Sequence, residues 1–166
     1  MAAEPNHRAF VGLGSNLDDP AAQVRSAIAE LARLAHTRVV GHSGVYRSKP
    51  VGYADQPAFA NAVAALETGL APRPLLRELL RLEQRHGRVR TIRNGPRTLD
   101  CDLLLHGDCV MDEPELTLPH PRMHERAFVL VPLYALAPAL EIPGRGPVAR
   151  LLAGVDASGV APWEAA

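Results

Sequence analysis

The chain has 166 residues, 47% of them hydrophobic, which suits one domain with a sizeable core and excludes a disordered chain. Its 18 basic and 18 acidic residues cancel, which argues against a general nucleic-acid binder. No apolar run is long enough for a bilayer and Met1–Arg8 lacks the apolar segment of a signal peptide; Cys101 and Cys109 form neither a metal motif nor a disulfide framework, so a reducing cytoplasm is expected.

In chain order, Ala9–Gly14 reads as a strand ending at glycine, and Asp19 as the N-cap of a helix with Pro20 at its first position. That helix is expected over about 20–34, with Val24, Ala27, Ile28, Leu31 and Leu34 as its buried stripe. Thr37–Tyr46 is strand-like, Arg47–Pro57 is a Pro- and Gly-rich loop, and Ala58–Glu67 resumes as a strand. Its face of Phe59, Asn61, Val63 and Ala65 includes one amide, either a satisfied buried group or a ligand contact. A helix over about 72–86 carries Leu75, Leu76, Leu79, Leu80 and Leu82, and Gly87 stops it. Thr98–Leu105 is the next strand, and Pro114–Arg122 is stiff and extended. A helix is expected over Met123–Ala137 despite Pro132, then a Gly/Pro-rich stretch, a short helix at Val148–Leu152, and a tail whose Trp163 alone suits docking.

The order β-α-β-β-α-β predicts an α+β, ferredoxin-like core with two helices on one face, in a single domain over 1–166. The core spans about 8–140 and a C-terminal extension about 141–166.

Chemistry concentrates around Asp100 and Asp102. In a strand, residues two apart share a face, so both carboxylates point one way while Leu99, Cys101 and Leu103 point into a core. Like charges at that spacing call for a cation. Eight of the arginines fall between Arg73 and Arg97, and Arg88, Arg90, Arg93 and Arg97 immediately precede the pair. Carboxylates for a hard cation beside guanidinium groups for oxyanions suit Mg²⁺-dependent phosphoryl chemistry; a solvated strand edge is the bland alternative. His120, Arg122, His124 and Arg126 form a second group of phosphate-oxygen donors. Gly12-Leu13-Gly14 lacks the third glycine of a dinucleotide fingerprint and reads as a site of close packing or a tight turn.

Arg88, the run Gly95–Leu105, and the run Pro119–Phe128 together carry a resemblance to the 6-hydroxymethyl-7,8-dihydropterin pyrophosphokinases of the folate pathway, extending from the first strand to about Leu140. The resemblance implies transfer of diphosphate from ATP to the pterin hydroxymethyl oxygen, giving the pterin diphosphate and AMP. It implies two Mg²⁺ ions on Asp100 and Asp102, with Arg88 and Arg97 as catalytic arginines. It places Glu83, Arg90, His120, His124 and Arg126 against ATP. Phe59 and Phe128 would sandwich the pterin, Asn61 would read its edge, and the loop Ser48, Lys49, Pro50, Val51 would contact the ring. The departures are Asn94 near a family tryptophan, and Pro121 and His124 in place of a tyrosine and a lysine. The Arg88–Pro96 loop is expected to close over ATP. ATP and the pterin are the expected partners of a monomer, with neither nucleic acid nor membrane. Two other readings are a different Mg²⁺-dependent phosphoryl- or nucleotidyltransferase on the same fold, and a non-enzymatic anion-sensing module.

Overall fold

Alternation along Ala9–Ser15 decides which side of the first strand meets which helices, and the rest of the molecule is arranged around it. The computed structural model describes residues 7–17, 19–49, 58–87 and 99–164. Strand β1 (His7–Ser15) runs through the middle of an antiparallel sheet. On one side it pairs with β5 (Asp100–His106), and on the other with β4 (Phe59–Thr68). The far edge of β4 carries two short strands, β2 (Thr37–His42) and β3 (Tyr46–Ser48). This is the expected ferredoxin-like α+β arrangement, with the second core strand split.

The split has a local cause. The β2–β4 register shifts between Val39 and Gly41, and Gly44 takes a positive φ of 78°. Ser43 bridges the gap, donating its N–H to the Val63 carbonyl at 2.9 Å and accepting the Val63 N–H on Oγ at 3.0 Å. A single strand over 37–46 is therefore corrected to two strands and a bulged link.

Helix α1 (Pro20–Leu31) is capped by Asp19, whose carboxylate accepts the Ala22 N–H, with Pro20 in the first turn. It stops three residues before the expected end: Arg33 and Leu34 donate to Glu30 and Leu31, tightening the last turn into i→i−3 bonds. Helix α2 (Pro72–Arg85) ends at Gly87, φ 76°, as its glycine predicts. Both helices cover one face of the sheet, burying Leu31, Leu75, Leu79 and Leu82 against Ala9, Val11, Leu13, Ala62, Leu66, Cys101 and Leu103.

Within Pro114–Arg122, expected to be merely stiff and extended, β7 (Leu116–Leu118) forms a hairpin with the preceding β6 (Met111–Glu113) and is followed by a cis Leu118–Pro119 bond. The long helix expected over 123–137 is interrupted. A 3₁₀ turn at Met123–Glu125 precedes an extended Arg126, and α3 then covers Ala127–Leu136 with Pro132 inside it. Fully buried Met123 anchors that turn. After a small hairpin of β8 (Glu141–Ile142) and β9 (Gly146–Pro147) comes α4 (Val148–Ala153). These C-terminal elements cover part of the second face, where Phe10, Val63, Ala65, Leu104, Leu105, Leu130 and Leu133 form a separate core. A bulge in the β1–β5 register beside Phe10 turns Leu104 and Leu105 together to that side. The last strand described, β10 (Ala161–Pro162), lies on the outer edge of β3.

Candidate active site

Two rungs of the sheet build the site. In one, Asp100 on β5 pairs with Gly14 on β1, and Gly14 with Asn61 on β4; in the next, Asp102 pairs with Gly12, and Gly12 with Val63. The carboxylates thus stand on one side, the amide on the other, and only bare backbone lies between them. A side chain at either glycine would fill that floor. A Cβ at Gly14 would come within 3.2 Å of Asn61 Nδ2, closer than ordinary contact, whereas one at Gly12 would meet Leu104 Cδ1 at 3.4 Å. The two glycines sit within β1, not in a turn, and their use is as this floor.

Above it is a cavity of about 500 Å³. Its floor and near wall include Gly12, Gly14, Ser48, Lys49, Phe59, Asn61, Asp100 and Asp102. The opposite wall comes from His120, Arg122, Glu125, Arg126, Phe128 and Val129. Half-buried Phe59 and Phe128 belong to different walls of this cavity, and the Arg126 guanidinium lies 5.5 Å from the Phe128 ring centre. Buried Ser48 donates Oγ–H to Asn61 Oδ1 at 2.5 Å, which fixes the amide with Nδ2 over Gly14.

His120 is neutral at physiological pH. Burial, reinforced by the positive charges of Arg126, Arg145 and Arg122 and opposed by Asp100, lowers its pKa to about 4. Its Nδ1 accepts the Arg122 N–H at 3.2 Å, so the neutral ring carries its proton on Nε2, a donor. Arg145 Nη1 donates to the His120 carbonyl at 2.7 Å and ties the β8–β9 hairpin to the site.

Glu83 and His124 are not among the cavity-lining residues. Glu83, on α2, is buried, and its Oε2 accepts the Cys101 N–H at 2.8 Å, so it holds β5 from behind between the two aspartates. Cys101 faces the α1–α2 core; burial, aided by the charges of Glu83, Asp100 and Asp102, raises its thiol pKa and leaves it inert. His124 follows Met123 in the 3₁₀ turn. Arg88, Arg90, Arg93, Asn94, Arg97, Pro50 and Val51, with the expected closing loop, lie outside the described residues.

Glu125 and the glycine floor are lining groups that sequence reasoning did not select. Glu125 carries no signal beyond its place in the His–Arg run, while two glycines spaced by two on a strand are a legible one. A second depression, of about 520 Å³, lies between α1 and α2. There Arg85 pairs with Glu30, and no aromatic ring is present.

Among the described residues no three His, Cys, Asp or Glu side chains converge on a point. The donors present are two same-face carboxylates in a cavity with cationic walls. That hard-oxygen set fits Mg²⁺, which keeps most of its shell for phosphate oxygens and water. No helix among the described residues is long and apolar enough to cross a membrane.

A model of the 7,8-dihydro-6-hydroxymethylpterin-pyrophosphokinase family matches residues 10–138. The chain is 49% identical over 153 residues to the 2-amino-4-hydroxy-6-hydroxymethyldihydropteridine pyrophosphokinase of Pseudomonas aeruginosa, covering 92% of this chain and 94% of that protein. The protein of the same description from Haemophilus influenzae is 45% identical, over 87% of this chain and 90% of its own length. The folic acid synthesis protein fol1 of Schizosaccharomyces pombe is 42% identical over 83% of this chain, which spans only 19% of it. Among solved structures, wild-type Plasmodium falciparum HPPK-DHPS with pteroate superposes with a TM-score of 0.70 at 12% identity, over 89% of this chain and 44% of that one. At that identity the likeness speaks for the fold alone.

Proposed function

Because the chain belongs to the 7,8-dihydro-6-hydroxymethylpterin-pyrophosphokinase family, we propose that the cavity over Gly12 and Gly14 is where its two substrates meet. The chain transfers diphosphate from ATP to the hydroxymethyl group of 6-hydroxymethyl-7,8-dihydropterin, giving the pterin diphosphate and AMP in folate biosynthesis. The observation that carries the site assignment is the rung Asp100–Gly14–Asn61, with a carboxylate and an amide on either side of a gap without side chains.

A flat heterocycle suits that gap. Phe59 and Phe128 stack on its two faces, and Asn61, oriented by Ser48, pairs with its polar edge. The main chain of Ser48, Lys49, Pro50 and Val51 completes the ring's surroundings. Asp100 and Asp102 hold two Mg²⁺ ions. Bound there, Mg²⁺ supplies charge compensation for the phosphates and lowers the pKa of the attacking hydroxyl. His120 Nε2–H and Arg126 donate to phosphate oxygens from the opposite wall, and His124 supports them from the adjoining turn. Arg88, Arg90 and Arg97 bind the phosphates and offset charge on the departing AMP. Glu83 bears on the nucleotide side through β5, by fixing the strand that carries both aspartates. No covalent enzyme intermediate is needed, since positioning the alcohol in line with the β-phosphorus removes most of the entropic barrier. The molecule acts as a cytoplasmic monomer, and its two free cysteines accord with a reducing compartment.

The test is a crystal structure with a non-hydrolysable ATP analogue, Mg²⁺ and the pterin. The expected result is a ring between Phe59 and Phe128 and metal on Asp100 and Asp102. A pterin seated elsewhere overturns the assignment.

A further inference from the structure

Strand β3 carries Ser48, yet it is only three residues long, so its position depends on what pairs with its two edges. Its inner edge pairs with β4, bringing Tyr46 opposite Asn61 and Ser48 opposite Phe59. Its outer edge is covered by residues 161–163. Ala161 and Pro162 pair with Arg47 and Tyr46, and the Trp163 N–H donates to the Val45 carbonyl at 3.0 Å. The Arg47 guanidinium lies 4.3 Å over the Trp163 ring, and its Nη2 donates to the Trp163 carbonyl at 3.3 Å. The Trp163 ring packs against the α1–α2 core, and Glu164 pairs with Arg25 of α1 at 2.8 Å. Just upstream, Gly159 lies close to the Lys49 stem; a Cβ there would meet Lys49 Cγ and Cδ at 3.9 Å.

We propose that this C-terminal segment, anchored by Trp163, is a positioning strap for the pterin side of the site. The tail holds Arg47 and passes beside the Lys49 stem, the residues on either side of Ser48. It turns β3 from an edge strand into an internal one, and β3 sets the Ser48–Asn61 contact. Ser48 rides on β3, so displacing the strand by about 1 Å takes that contact out of hydrogen-bond range and frees the amide that reads the ring. ATP, on the Asp100–His120 side, lies beyond the strap's reach. The proposal rests on the reading that Ser48 and Asn61 hold the pterin.

The test uses the full chain with Trp163→Ala, Trp163→Phe, Arg47→Ala and Asn61→Ala, varying pterin and ATP separately in steady-state assays. Trp163→Ala is expected to raise KM for the pterin about five- to tenfold, leaving kcat and KM for ATP within about twofold. Trp163→Phe, which keeps an aromatic ring under Arg47 and against the core, restores the wild-type value. Amide hydrogen exchange at Val45–Ser48 rises in the alanine variant. Should that variant fail to fold, Arg47→Ala, which removes the stack and the carbonyl bond, is expected to raise the same KM about threefold. A wild-type pterin KM in the strap variants, with a raised one in Asn61→Ala, overturns the strap and leaves the pocket standing. An unchanged KM in Asn61→Ala removes the pocket, and the strap with it. Equal losses for ATP and pterin reduce Trp163 to a stability residue and also refute the proposal.

Discussion

Replacing Asn61 with alanine separates a pterin-reading amide from an ordinary buried one. Ser48 is 4% exposed and Asn61 6%, so each depends chiefly on the other for a hydrogen-bond partner. Asn61→Ala leaves the Ser48 hydroxyl without its 2.5 Å acceptor, a loss of about 1–3 kcal/mol in stability. Removing both partners is less costly per group than orphaning one, so Ser48→Ala/Asn61→Ala is expected to be no less stable than Asn61→Ala alone. Binding responds separately. Loss of the bonds to the ring edge is worth about 1–3 kcal/mol, or about five- to 150-fold in Kd. Urea unfolding of the single and double variants measures the first effect. Calorimetry with the pterin, in the presence of Mg²⁺ and a non-hydrolysable ATP analogue, measures the second. Additive stability losses would refute the coupling between Ser48 and Asn61. Wild-type pterin affinity in a folded Asn61→Ala protein would refute the pocket.

Asp100→Asn and Asp102→Asn are each expected to cut turnover at least about a hundredfold with the fold retained, and Mg²⁺ titration of the nucleotide complex should show weakened metal binding. Gly14→Ala should raise the pterin Kd about tenfold, because its Cβ comes within 3.2 Å of Asn61 Nδ2; Gly12→Ala, meeting the yielding end of Leu104 at 3.4 Å, should leave Asn61 in place, and calorimetry compares the two. Glu83→Ala should lower the unfolding free energy by about 1–3 kcal/mol by orphaning the Cys101 N–H, while Glu83→Gln, which keeps an acceptor, should recover much of it in the same urea assay. His120, with a folded pKa of about 4 against an ordinary 6.5, binds fewer protons folded than unfolded between those values; its contribution is present above pH 6.5 and is lost as pH falls towards 4, by up to about 3 kcal/mol. Urea unfolding of the ligand-free protein against pH should show that slope, and His120→Gln should flatten it.

Much of the site is legible in the sequence because its signals are local. Spacing by two puts Asp100 and Asp102 on one face and Cys101 on the other, and the same rule groups Phe59, Asn61 and Val63. Leucine periodicity and the stop at Gly87 mark α2, while Asp19 and Pro20 mark the start of α1. The β-α-β-β-α-β order carries the topology. Register is different, because it is a property of paired strands and no strand carries it alone. Gly14 comes to lie between Asp100 and Asn61, making a floor of backbone, only once β1 has settled between β4 and β5. The break at Ser43–Val45, the extended Arg126 that interrupts a helical pattern, and the β6–β7 hairpin are likewise set by contacts from distant parts of the chain. Glu83 shows the division most clearly. Its helical position is readable from the sequence, but its bond to the Cys101 amide is decided by the packing of α2 against β5, which buries the carboxylate against the strand, where a backbone N–H takes the place of water.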